Sequence, residues 1–117
     1  MLCLLYDITS SSSFENLCIQ FLPLLGAMIN FEDLQLIFIG TKIDHSDKRE
    51  VSVEEVESFI SKNYSGALHF EISNKNGEGI EKLKEKIEYI AREKYEALYK
   101  EIDIKRAERF LTKGISH

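Results

Sequence analysis

The chain has 117 residues, 44% of them hydrophobic and 30% charged, with a formal net charge of −5. That is enough for one small domain with a core, and the acidic balance argues against a nucleic-acid or membrane-surface partner. No apolar run approaches the roughly 18 residues that a bilayer span needs, and Met1-Leu2-Cys3-Leu4-Leu5-Tyr6-Asp7 lacks the basic flank and apolar length of a secretory signal.

Residues 2–6 form a continuous apolar run, the pattern of a parallel strand covered on both faces. Ser12-x-x-Glu15 has the form of a capping box, and Phe14, Leu17, Cys18, Phe21 and Leu25 follow at helical spacing. Pro23 should kink that helix or start a new turn. Cys3 and Cys18 then read as buried thiols of a reducing compartment, with a disulfide or metal pair as the alternative. Residues 35–40 make a second strand, Asp44 to Glu50 a charged loop, and Ser52-x-x-Glu55 a second capping box. Val53, Val56, Phe59 and Ile60 give the next helix its apolar stripe, and Asn63 to Gly66 should close it. Leu68 to Ile72 reads as a third strand, Asn74 to Gly79 as a turn, and Ile80, Leu83, Ile87, Ile90 and Ala91 as the start of a long helix. Its charge pattern, including Glu88–Arg92 and Glu96–Lys100, continues to about residue 111. About thirty residues at 1.5 Å each would reach roughly 45–50 Å, longer than a small domain is wide, so its second half is either a solvated tail or a partner-binding helix. A βα unit repeated three times implies a parallel sheet with right-handed crossovers.

Chemistry concentrates at two strand ends. Leu36-Ile37-Phe38-Ile39-Gly40 runs into Thr41-Lys42-Ile43-Asp44, and the third strand ends in Glu71-Ile72-Ser73-Asn74-Lys75. Polar loops at the carboxyl ends of neighbouring parallel strands are where α/β folds bind ligands. An Asp so placed can accept two parallel N–H donors, which guanine offers at N1 and its exocyclic amino group and adenine does not. A coincidental pair of polar turns is the alternative.

These two loops, in this order, resemble the guanine-reading motifs of the Ras superfamily of small GTPases, Asn/Thr-Lys-x-Asp and Ser-Ala-Lys. Leu5-Tyr6-Asp7-Ile8-Thr9 with Ser13-Phe14-Glu15-Asn16-Leu17 is similar to the family's fourth strand and third helix. Lys48-Arg49-Glu50-Val51-Ser52 with Glu54-Glu55 is similar to the start of its fourth helix, most like the Ras and Rab branches. Pro23 and Thr41 also occur in the Rho branch, whose extra insert before that helix is missing. The resemblance covers roughly residues 1–94 and implies the carboxyl-terminal half of a P-loop-NTPase-like G domain: α/β, three parallel strands and three helices, with 95–117 as a charged helical extension.

The resemblance implies a molecular switch that binds and hydrolyses GTP in the cytoplasm, acting in vesicle trafficking if Rab-like. Asp44 would accept from the base edge, the Asn74 main-chain N–H would donate to O6, and the stems of Lys42 and Lys75 would cover ring or ribose. Thr41 and Ser73 would brace the loops. Asn74 stands where relatives carry Ala, and its longer side chain could crowd the base.

The phosphate half is missing from the sequence: no Gly-x-x-x-x-Gly-Lys-[Ser/Thr] and no Asp-x-x-Gly occurs. In the family these come from the first three strands, and this chain is similar from the fourth onward. GTP or GDP contacts are therefore expected at the guanine only, with Mg²⁺ only in an intact family member and no hydrolysis by the chain alone. The alternatives are a non-catalytic interaction module and a partial copy of a normal switch. The first strand lacks its usual neighbour, so it should invite self-association or a protein partner, and an inward charge at Leu4 should block that pairing. His45 reads as a solvated loop residue and His69 as a sheet-face residue, neither with metal-ligand spacing. No cysteine follows Cys18, so no prenyl anchor is expected.

Overall fold

The computed structural model describes residues 1–94 and Glu96. Three strands, β1 (Leu2–Asp7), β2 (Leu36–Thr41) and β3 (Leu68–Glu71), form a parallel sheet in the order β1-β2-β3. The fold is α/β, as the repeated βα pattern predicts, with strand limits within a residue of those read from the sequence. By contact, Met1–Glu81 forms one compact unit and a second begins at Lys82. Helix α4 covers residues 80–94. The rest of the anticipated long helix and the extension at 95–117 lie outside the described residues, Glu96 excepted.

The central strand explains itself. Leu36, Ile37, Phe38 and Ile39 are all buried, which only a strand covered on both faces tolerates. On one face Leu4, Tyr6, Leu36 and Phe38 join Phe14, Leu17 and Leu22 from the first helical segment and Val56 and Ile60 from α3 (Val53–Asn63). Phe59 packs against Phe14, Phe38 and Tyr64 with ring centroids 5.8–6.2 Å apart, in the tilted and edge-on geometries aromatic rings favour.

β1 departs from the expected two-sided burial. Leu4 and Tyr6 are buried, but Cys3 is exposed and Leu5 is 58% exposed. Cys3 is thus not a core thiol, and Cys18 is only half-buried, where desolvation still pushes its thiol up to about 11. The reason is topological. β1 is an edge of the described sheet, so one of its faces stays bare while the alternation of side chains buries the other. Leu4 points into the core, so a charge there would destabilise the fold rather than guard the edge. Leu5 is the edge position open to substitution.

The expected first helix is interrupted. α1 (Ser11–Asn16) passes into a π-helical turn (Leu17–Phe21), and α2 (Leu22–Gly26) restarts with Pro23 in its first turn, where a missing N–H costs least. The cap is Ser10, not Ser12. Ser10 is extended (φ −132°, ψ 102°) and its Oγ accepts from Ser13 N. Ser12 already lies inside the helix. Ser52 caps α3 as predicted, accepting from Glu55 N at 3.1 Å. Gly66, at φ +96°, turns the chain from α3 toward β3.

Two ties fix the far loop. The main-chain N–H groups of Glu50 and Val51 both donate to the Ile8 carbonyl (2.8 and 3.0 Å). Arg49 makes a two-pronged ion pair with Glu71 (2.7 and 2.8 Å) and donates to the Val51 carbonyl. Tyr6 lies over Gly40 to reach His69, its hydroxyl 2.6 Å from Nε2. Burial lowers the His69 pKa and raises that of Tyr6, so a neutral phenol and a neutral imidazole share this hydrogen bond.

Candidate functional site

The carboxyl ends of β2 and β3 carry the two loops together. Ile72 N donates to the Gly40 carbonyl (2.8 Å) and Ile43 N to the Ile72 carbonyl (3.3 Å), so the loop after β3 continues the ladder past the strand itself. The loop after β2 winds as a 3₁₀ turn over Ile43–Lys48. This brings Asp44 to Ser73, whose Oγ donates to Asp44 Oδ1 at 2.7 Å.

Ser73 is fully buried and saturated. Its Oγ accepts from Asn76 N (3.2 Å), its N–H donates to the Glu78 carbonyl and its carbonyl accepts from Gly77 N. A serine locked in this way holds the Asp44 carboxylate in one orientation. The bond from Ser73 is the largest influence on Asp44 and lowers its pKa. Desolvation opposes it, and the charges of His45 and Lys75 assist. Asp44 Oδ2 lies 3.3 Å from His45 Nε2. An ionised carboxylate has about four acceptor sites, so Ser73 leaves capacity for a two-pronged donor once the half-exposed His45 moves aside.

Thr41 Oγ1 donates to the Tyr6 carbonyl (3.1 Å), fastening the start of the loop to β1. Lys42 is the one non-glycine residue with positive φ among the described residues (φ 66°, ψ 37°). Its ammonium meets Asp7 Oδ2 at 2.8 Å. Asn74 and Lys75 are exposed on the loop after β3, and no hydrogen bond among the described residues uses the Asn74 N–H. The six residues singled out from the sequence, Thr41, Lys42, Asp44, Ser73, Asn74 and Lys75, thus lie on two laced loops.

Sequence reasoning missed the third contributor, Asp7. Its signal was present: a carboxylate at a strand's carboxyl end, as with Asp44, and two residues before a hydroxyl side chain. Asp7 pairs in register with Thr41, which sets it beside Lys42. Its carboxylate accepts from Thr9 N (2.8 Å) and Thr9 Oγ1 (2.7 Å). Desolvation works against the charge, yet the bonds from Lys42 and Thr9 together outweigh it and hold Asp7 at about 2. The site is an open surface of three loops, not a cavity. A groove of about 630 Å³ lies elsewhere, along the β1 edge, between Cys3, Leu5 and the Leu17–Leu24 stretch.

Comparison with known proteins identifies the family of the chain. The Ras family model matches residues 1–96. Ras-related protein Rab-21 of dog and of human is 38% identical to the chain over 80 residues, covering 68% of the chain and 34% of either relative. The GTP-bound wild type EhRabX3 of Entamoeba histolytica superimposes with a TM-score of 0.62 at 30% identity, over 73% of this chain and 28% of that one. The chain therefore spans about a third of the length of the curated relatives it matches, and it is similar to Rab proteins in both sequence and fold. Residues 2–75 hold a three-stranded parallel sheet whose strand ends carry Thr41-Lys42-x-Asp44 and Ser73-Asn74-Lys75, and the chain belongs to the Ras family of small GTPases.

Proposed function

We propose that the chain is the base-reading part of a guanine-nucleotide switch and binds GTP or GDP through the guanine. The observation that carries this reading is Asp44: an ionised carboxylate, held by buried Ser73 at the end of β2, with acceptor capacity to spare. The free Asn74 N–H supplies a donor for guanine O6, and the stems of Lys42 and Lys75 supply apolar cover. The GTP-bound state of the EhRabX3 relative supports the same ligand class. Each charge-assisted base contact contributes roughly 1.5–3 kcal/mol, and two or three must offset an association cost of about 4 kcal/mol or more. The expected affinity is millimolar or weaker, since 1 mM corresponds to about −4 kcal/mol. The residues that would hold phosphate, Mg²⁺ and attacking water in a full-length switch are not part of this reading, and the 117-residue chain is proposed to bind without hydrolysing. Its setting is the cytoplasm. The test is an NMR titration with GTP and ATP. GTP-selective shifts clustered at Thr41–Asp44 and Ser73–Lys75 support the site, whereas equal shifts with both nucleotides, or shifts elsewhere, defeat it.

A second reading rests on the β1 edge. Leu2 N and Ile8 N donate toward β2, so by alternation the main-chain groups of Cys3 and Leu5 face outward. Exposed Leu5, Phe21 and Leu24 flank them. Residues 2–6 carry no charge, so two copies can approach edge to edge without repulsion, and self-association through β1 is proposed for the isolated chain.

A further inference from the structure

Lys42 sits in a backbone region that L-residues avoid, at φ 66°. Something must favour that conformation, and the loop offers one strong contact: the ammonium on Asp7 Oδ2 at 2.8 Å. Asp7 is itself not free to swing. Thr9 grips its Oδ1 with both N–H and hydroxyl, and Ser13 Oγ accepts from its N–H (3.0 Å) while donating to its carbonyl (3.1 Å). The backbone of Asp7 is fixed by register against Thr41, the residue just before Lys42. Lys42 and Asp44, two of the charged residues in the loop after β2, are thus each held by a side chain from a neighbouring strand end. Ser73, beyond β3, holds Asp44, and Asp7, at the end of β1, holds Lys42.

We propose that Asp7 is a positioning residue of the base site: by anchoring the Lys42 ammonium it keeps Lys42 left-handed and its stem in place on the loop, ready to cover a guanine nucleoside. The inference rests on the base-reading role of the two loops. Asp7 touches no ligand in this arrangement, and its effect passes wholly through Lys42. An exposed lysine without the anchor would leave its stem disordered, and the nucleoside would have to immobilise it on binding.

The experiment compares the full chain with Asp7→Asn, Lys42→Ala and the double variant. The first readout needs no ligand: the Lys42 amide and Cα chemical shifts. In Asp7→Asn they should move away from left-handed values while the Asp44 and Ser73 resonances stay in place. Unchanged Lys42 shifts would overturn the proposal. The second readout is guanosine affinity by titration. Asp7→Asn should weaken it about five- to tenfold, and the same change in the Lys42→Ala background should have no further effect. Equal losses in both backgrounds would mean that Asp7 acts independently of Lys42, which also overturns it. Because the first readout uses the free protein, it decides the role of Asp7 even where guanosine and adenosine bind alike, the result that defeats the base-reading itself.

Discussion

Gly40→Ala is a single-methyl test of how the sheet is assembled. A Cβ at Gly40 would stand 2.8 Å from Tyr6 Oη and 2.9 Å from both Tyr6 Cζ and Ile8 Cγ2. Tyr6 is 3% and Ile8 0% exposed, so neither can yield into solvent. Forcing a methyl into such a core costs about 1–3 kcal/mol. Displacing Tyr6 also breaks its bond to His69, and an unsatisfied buried hydroxyl adds about 1–3 kcal/mol. The expected loss is on the order of 3 kcal/mol, a large share of the stability of a small domain. In urea unfolding followed by far-UV circular dichroism, that loss should lower the midpoint by on the order of 2 M, with little change in slope. Tyr6→Phe removes the nearest atom. In that background Gly40→Ala should therefore cost measurably less, a non-additivity of about 1 kcal/mol or more. A Gly40→Ala protein within about 0.5 kcal/mol of the parent, or strict additivity with Tyr6→Phe, would refute the packing argument.

Three further outcomes are expected. The Asp7 carboxyl is depressed from 3.8 to about 2, so its contribution is complete above pH 4 and is lost as the pH falls from about 4 to 2. That contribution is at most about 2 kcal/mol and nearer 1 because the Lys42 side chain is 59% exposed. Acid titration of stability should accordingly be flatter over this window in Asp7→Asn. Ser52→Ala removes the α3 cap and should cost about 1 kcal/mol in the same unfolding assay, whereas Ser12→Ala should cost little because Ser12 caps nothing. Leu5→Lys should reduce self-association in sedimentation velocity while leaving the melt unchanged, since Leu5 is exposed, and Leu4→Lys should unfold the chain. Retained association in Leu5→Lys would remove β1 as the contact.

Elements with strong periodic patterning were legible in the sequence: the apolar run of β2, the stripe of α3 and its Ser52 cap all formed where the pattern placed them. What escaped were features set by neighbours distant in sequence. The apolar text of residues 2–6 reads as two-sided burial, yet whether Cys3 and Leu5 are covered depends on what lies beside β1, which local pattern cannot report and which only the resemblance, with the first strand's usual neighbour missing, signalled. The choice of Ser10 over Ser12 turned on where β1 releases the chain, because Ser13 is drawn back to the Asp7 and Ser10 carbonyls. The two polar loops were visible as Thr41-Lys42-Ile43-Asp44 and Ser73-Asn74-Lys75. The Asp7 contact was hidden because it spans 35 positions, and only the parallel register of β1 on β2 brings it to Lys42. Gly40 likewise looked like a strand-end glycine, and its role as the floor beneath Tyr6 emerges only once β3 places His69 on the same face.

The most direct test of base reading by Asp44 is a titration series with guanosine, inosine and adenosine. Inosine keeps the ring N1–H and the O6 acceptor but lacks the exocyclic amino group, so it can make one of the two Asp44 bonds and still accept from Asn74. Adenosine offers neither an N1–H nor an O6. The account predicts affinity falling in the order guanosine, inosine, adenosine, with the first step on the order of tenfold for one charge-assisted bond. It also predicts that Asp44→Ala flattens the series while Ser52→Ala leaves it intact. Equal affinity for the three nucleosides, or a guanosine preference that survives Asp44→Ala, would contradict it.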